Sequence, residues 1–172
     1  MISSVMRHVS VLFTFFLIGS SWTSAQTGKP AGPVGLDVRN GGAAARVTAA
    51  DLSKLPRVSI DTMDGGRAVR FEGVRVSDVL AHAGVTFGQT LRGHRLATYL
   101  LARAADGYQV VFALPEIDPD FASREIIVAD RQDGGALQGR DGPLRIIAAG
   151  DRRHARWVRG LSVLEIRSAD GQ

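Results

Sequence analysis

Gly142-Pro143-Leu144-Arg145-Ile146-Ile147-Ala148-Ala149-Gly150 is the stretch from which the rest of the chain is read. The run from Leu144 to Ala149, with Gly-Pro before it and Gly-Asp after it, predicts a buried strand. A second run, Leu161 to Arg167, predicts another. Between them, Asp151-Arg152-Arg153-His154-Ala155-Arg156-Trp157-Val158-Arg159-Gly160 carries five Arg or His residues within eight positions. Guanidinium groups hold oxyanion oxygens in bidentate fashion. Cations gathered on one loop repel each other until an anion relieves them. The stretch therefore predicts two strands flanking a candidate anion site, with Arg152, Arg153, His154 and Arg156 as its residues. The blander alternative is a solvated arginine-rich turn with Asp151 as a local partner, worth little in stability.

The other end of the chain has a different character. Arg7-His8 is a short basic region, Val9 to Ile18 is apolar, and Ser21 to Ala25 are small and mostly polar. Thr23 and Ala25 stand three and one positions before a cut at Gln26, so residues 1–25 are expected to be a secretory signal peptide and the protein periplasmic or secreted. An uncleaved N-terminal anchor is the alternative. The apolar run is too short to span a bilayer comfortably, and no other stretch could cross, so no membrane span is expected after cleavage.

Of 172 residues, removing 25 leaves 147. That length suits one domain burying roughly 70% of its unfolded surface. The chain holds 21 Lys and Arg against 17 Asp and Glu, and the leader takes only Arg7, leaving a net charge of +3. So small an excess, with few aromatics to stack bases, argues against a nucleic-acid partner. Cysteine is absent. The domain must be held by its core without disulfides, and it has no thiolate nucleophile, cysteine zinc site or iron–sulfur cluster.

Residues 26–35 are rich in Gly and Pro and read as a flexible lead-in. The domain is expected over 36–167. Leu36-Asp37-Val38-Arg39 alternates as a half-buried strand does, and Asn40-Gly41-Gly42 is a turn signal. Thr48 can cap a short helix through Lys54 that Pro56 would stop. Val58, Ile60 and Thr62 alternate, and Ala68-Val69-Arg70-Phe71 follows Asp64-Gly65-Gly66, which predicts a hairpin. Gly73 is expected to turn the chain. Val76, Val79, Leu80 and Ala83 lie at helical spacing behind Ser77, with Gly84 as a stop. Leu96 to Ala104 and Tyr108 to Leu114 predict central strands joined through Asp106-Gly107. Pro115 to Pro119 predicts a turn or one helical turn, and Glu125 to Ala129 a strand closed by Asp133-Gly134-Gly135. Ser168 to Gln172 reads as a frayed tail. Roughly eight short strands with two short helices make an α+β, sheet-rich mixed fold.

Several of these pieces resemble one family. Asp51-Leu52 with Leu55-Pro56-Arg57-Val58, Phe71-Glu72-Gly73-Val74 with Val79-Leu80, Ala105-Asp106-Gly107-Tyr108 with Leu114 to Pro119, Gly142-Pro143-Leu144-Arg145, and Ala155-Arg156-Trp157-Val158 stand in the order found in the molybdopterin-binding domain of sulfite oxidase-like oxidoreductases. The resemblance covers roughly 36–167. It implies the family's fold and a molybdopterin-type molybdenum cofactor bound in a cleft at strand ends. It covers the cofactor-binding domain alone, without the family's dimerisation or haem domains. It also implies that Arg156, the cation before the tryptophan, meets the pterin phosphate.

In the family a cysteine thiolate ligates molybdenum shortly before a Gly-x-Arg turn. Aligning that turn with Gly65-Gly66-Arg67 puts Met63 at the metal position, and a shift of one or two residues would put Thr62 or Asp61 there. A thioether is a neutral, weak donor and a hydroxyl or carboxylate a hard one, which argues against oxygen-atom transfer by the family's route. Arg67 and Tyr108 join the cofactor-binding candidates, and Met63, Arg67 and Arg156 are expected to share one cleft. Trp157 is expected to be a core aromatic whose indole N–H seeks an acceptor. His82 and His94 have no second histidine at metal-ligand spacing. The expected function is an exported domain that binds a molybdopterin or similar anionic ligand without redox turnover. The alternatives are an active sulfite- or sulfoxide-type molybdenum oxidoreductase with a redox partner protein, or a ligand-free interaction module.

Overall fold

The computed structural model describes residues 34–170. The expected leader, most of the lead-in and the last two residues of the tail lie outside the described residues. Among the described residues, ten strands form two five-stranded sheets. In the first sheet the order is β2 (Ala43–Thr48), β1 (Gly35–Asn40), β10 (Leu161–Ser168), β5 (Thr98–Ala104) and β6 (Gln109–Ala113). In the second it is β3 (Arg57–Asp64), β4 (Arg67–Arg75), β7 (Ile126–Gln132) and the two-residue β8 (Gly135–Ala136), with β9 (Arg145–Ala148) also paired to β7. Among the described residues β1 and β10 alone run parallel, and every other pair is antiparallel. The expected α+β, sheet-rich class is what the chain adopts, with three short α-helices between strands among the described residues.

The helices follow local chemistry. α1 (Ala49–Lys54) starts at Thr48, whose hydroxyl oxygen accepts from the Asp51 N–H while the Asp51 carboxylate accepts from the Thr48 N–H, a reciprocal capping box. Those bonds from Thr48 hold the Asp51 carboxyl down at about 2. α2 (Val76–His82) begins at Val76, with Arg75 at its cap position; Ser77 lies inside it and is buried. α3 (Leu114–Ile117) is the single turn expected around Pro115, and its Glu116 accepts from the Ala113 N–H. Leu52, Val76, Val79, Leu80 and Leu114 carry the helices into one hydrophobic cluster that both sheets share.

Two glycines show how local and tertiary demands differ. Gly65 and Gly66 make the tight β3–β4 turn with φ of 59° and 82°, the left-handed pair that such hairpins need. Gly73, expected from the sequence as a turn, instead lies inside β4, where the register against β7 shifts. A Cβ there would stand 2.1 Å from the Val128 carbonyl oxygen. The glycine is required by the approach of a neighbouring backbone, which no local pattern reports.

The closing stretch ties the two sheets together. β9 belongs to the second sheet, whereas β10 inserts between β1 and β5 in the first, so the flanking strands do not pair with each other. The connection is held by Ile146 N–H donating to Val158 O at 2.9 Å and Leu161 N–H to Leu144 O at 2.8 Å. β10 runs through Ser168, and Ala169 N–H still donates to Ala97 O, so ordered backbone extends past the expected start of the tail. Among the described residues no helix is long and apolar enough to cross a membrane.

Candidate anion-binding cleft

Three parts of the chain meet in a cleft of about 200 Å³: the β5–β6 hairpin with Asp106 and Tyr108, the approach to β9 with Arg140 and Arg145, and the basic loop with His154, Ala155, Trp157 and Arg159. Tyr108 donates its hydroxyl to the Ala155 carbonyl, which pins the hairpin to the loop. Trp157 is buried and donates its indole N–H to Ala148 O at 2.9 Å. The His154 ring stacks on it, with centroids 3.7 Å apart and planes 8° from parallel.

Arg145 is the centre of this arrangement. It is a charge set in the run Leu144 to Ala149, and only 1% of it is exposed. Its guanidinium carbon lies 5.2 Å from the Phe71 ring centroid and 5.4 Å from that of Trp157, within cation–π range of both. Asp64, at the end of β3, places one carboxylate oxygen 3.0 Å from Arg145 Nη1 and the other 3.3 Å from His154 Nδ1. A carboxylate can only accept, so the second bond requires the imidazole proton on Nδ1. Asp141 lies 3.6 Å from Arg145 Nη1 and 2.9 Å from Arg159 Nε. Arg145 Nε is fully buried and has no hydrogen-bond partner among the described residues. A buried donor left in this state costs about 1–3 kcal/mol unless a ligand or water accepts from it. Arg140 is exposed and forms no ion pair among the described residues, so the cleft has two further cations, Arg140 and Arg159, beside the buried one.

The residues expected from the sequence are distributed unevenly. Tyr108 and His154 line the cleft. Arg152 and Arg153 are exposed and unpaired among the described residues, without lining it. Arg67 is held by Asp133 at 3.2 Å and does not line the cleft either. Arg156, expected to meet a phosphate, does not line the cleft and is paired within the protein. Its Nε and Nη2 lie 2.7 Å from the two Asp151 oxygens, its Nη1 lies 3.0 and 3.2 Å from those of Glu116, and it covers the Phe112 ring at 4.8 Å. Asp151 first, with Glu116, holds the guanidinium still more firmly protonated. Its donors are committed to the protein's own carboxylates, so it acts as a clamp between the basic loop and α3.

Met63 does not join the cleft. Successive strand side chains point to opposite faces. Asp64 faces Arg145 and His154, so its neighbour Met63 faces the other way and is exposed. Asp61 shares that outer face and pairs with Arg70 at 2.7 Å. Met63, Arg67 and Arg156 therefore do not share one site. Asp64, Arg140, Arg145 and Arg159 were not picked out from the sequence. The available signal was Arg145 itself, an arginine inside a run whose neighbours must be buried.

The clamp sets an acid sensitivity. Hydrogen bonds from Arg156, and the nearby charges of Arg124 and His154, hold the Asp151 carboxyl below the usual carboxylate range. A depressed folded pKa contributes stability that is present above the unfolded value near 4 and lost as pH falls through the lower folded one. Asp151→Asn is therefore expected to cost about 2 kcal/mol near pH 6, with the gap to the parent narrowing by about pH 3, as read from urea midpoints. A gap that stays constant would remove the clamp's ionic character.

The family model for the oxidoreductase molybdopterin binding domain matches residues 62–171, well over half of the chain. The chain belongs to the oxidoreductase molybdopterin-binding domain family. The matched region takes in the end of β3 and every later strand and helix, hence every residue that lines the cleft. Among solved structures, the sulfane dehydrogenase SoxCD from Paracoccus pantotrophus is similar at 19% identity, with a TM-score of 0.60, over 80% of this chain and 39% of that one. At that identity the likeness concerns the fold. The chain thus spans about two-fifths of that protein's length. No curated protein matches the sequence.

Proposed function

We propose that this molybdopterin-binding-family domain is exported, with residues 1–25 removed, and holds the anionic part of a molybdopterin-type cofactor, or a similar anionic ligand, without redox turnover. The observation that carries the reading is Arg145: a buried guanidinium in the cleft with an unpartnered Nε, flanked by Arg140 and Arg159. These groups fit phosphate-like oxygens, which accept charge-assisted hydrogen bonds. His154 and Tyr108 supply the polar rim, and stacked Trp157 keeps the rim in place.

The chain fits the metal poorly. It has no cysteine, Met63 lies on the outer face of β3, and no group of three His, Asp or Glu among the described residues is arranged to hold a metal. No reaction step is therefore derived through molybdenum.

The test is to express the full chain with its leader in a host that makes the cofactor, and to assay the exported protein for released fluorescent pterin, for molybdenum, and for sulfite oxidation and sulfoxide reduction. Pterin is expected in the parent, lost at least about tenfold in an Arg140→Gln, Arg159→Gln variant, with neither activity. If no pterin is carried and phosphate esters leave thermal stability unchanged, ligand binding is wrong. Turnover of either substrate by metal-loaded protein would make the domain a working oxidoreductase.

A further inference from the structure

A second cavity, of about 330 Å³, shares no residue with the anion cleft. It lies where β4 runs into α2 and is completed by the segment joining α3 to β7. Its volume is at the lower end for ligand pockets, roughly 300–1,000 Å³, which restricts it to small molecules.

The chemistry of its wall is specific. Asp78 is the third residue of α2, the position from which a carboxylate ordinarily turns back onto the N–H at the helix start. Here Asp78 Oδ2 is fully buried and accepts no hydrogen bond among the described residues. A carboxylate oxygen can only accept, so the group it lacks is a donor. Arg75 lends Asp78 a nearby positive charge but no hydrogen bond to Oδ2, and its Nε and Nη2 are each held 3.0 Å from Glu125 oxygens. Arg124 is held only loosely, 3.4 Å from Asp151, with its side chain 44% exposed. The two arginines and the two carboxylates cancel in formal charge, which disfavours a simple cation or anion and suits a ligand carrying both signs. Ile117 and Ile126 supply an apolar wall beside them.

We propose that this cavity binds a small free α-amino acid with an aliphatic side chain. Its ammonium donates to Asp78, its carboxylate accepts from Arg124, and its side chain lies against Ile117 and Ile126. The reading is independent of the anion cleft, and either can fail alone.

The experiment titrates the isotopically labelled full-length mature protein with L-leucine and follows amide resonances by NMR. Two analogues serve as controls: N-acetyl-leucine, which lacks the ammonium, and leucinamide, which lacks the carboxylate. Leucine is expected to shift Ser77, Asp78, Ser123 and Arg124 with a Kd of about 1 mM or tighter, and each analogue to bind at least about tenfold more weakly. Asp78→Asn and, as a second variant should the first fold poorly, Arg124→Met are expected to weaken leucine by a similar factor. The proposal is overturned if leucine shifts nothing in this cavity. It is equally overturned if the three ligands bind alike, or if the folded variants keep the parent affinity.

Discussion

Replacing Arg145 by methionine is expected to lower the free energy of unfolding by about 3–5 kcal/mol, the cost of removing one partner from a buried ion pair. The side chain is 2% exposed, and the Asp64 carboxylate it faces is 19% exposed, so water cannot easily take over. The substitution also removes a cation from between Phe71 and Trp157. Urea unfolding reads the loss directly. Arg145→Lys, which keeps charge but not the planar fork, should fall between parent and methionine. In a double-mutant cycle, Asp64→Asn should recover part of the loss, because it removes the stranded charge. A loss below about 1 kcal/mol for Arg145→Met would mean that Asp64 is resolvated and that the pair does not organise the cleft.

Gly73→Ala is expected to cost about 3 kcal/mol or more, at the upper end of overpacking. The added carbon would meet Val128 O at 2.1 Å and Ala129 Cα at 2.7 Å. Both belong to the backbone of β7, which is fixed on its other side by β9, so neither can move aside as a side-chain tip could. Gly42→Ala is the matched control. No atom lies within 4 Å of its added carbon and its φ is not positive, so it should be near neutral. Chemical denaturation of the two variants side by side checks the difference, and equal stability would mean that β4 and β7 part at this point without cost.

The two arginines of the closing stretch illustrate what a sequence can and cannot disclose. Arg156 stands where the family resemblance implies a phosphate contact, yet Asp151, five residues before it, and Glu116, forty residues before it, take its donors. Asp151 is visible as a local partner. Glu116 becomes one only because α3 is folded against the loop. Arg145 reads as an ordinary member of a strand run, but the fold buries it among Phe71 from β4, Trp157 from the loop and Asp64 from β3. Met63 and Asp64 differ by one position, and strand alternation turns only Asp64 toward Arg145 and His154, which line the cleft.

What the sequence determined alone is whatever depends on neighbours along the chain. The Thr48 cap, the Gly65-Gly66 hairpin, the single turn at Pro115 and the strand character of Leu144 to Ala149 and of Leu161 to Arg167 are all governed by backbone preferences and side-chain period. The absence of cysteine, and with it of any thiolate ligand, is likewise settled by composition. Tertiary structure decided the pairings between distant segments: β9 to one sheet and β10 to the other, Gly73 against β7, and Asp64 against Arg145. Those depend on which surfaces are desolvated together. Burial makes an unpartnered guanidinium costly and a missing Cβ necessary, and burial is a property of the assembled chain.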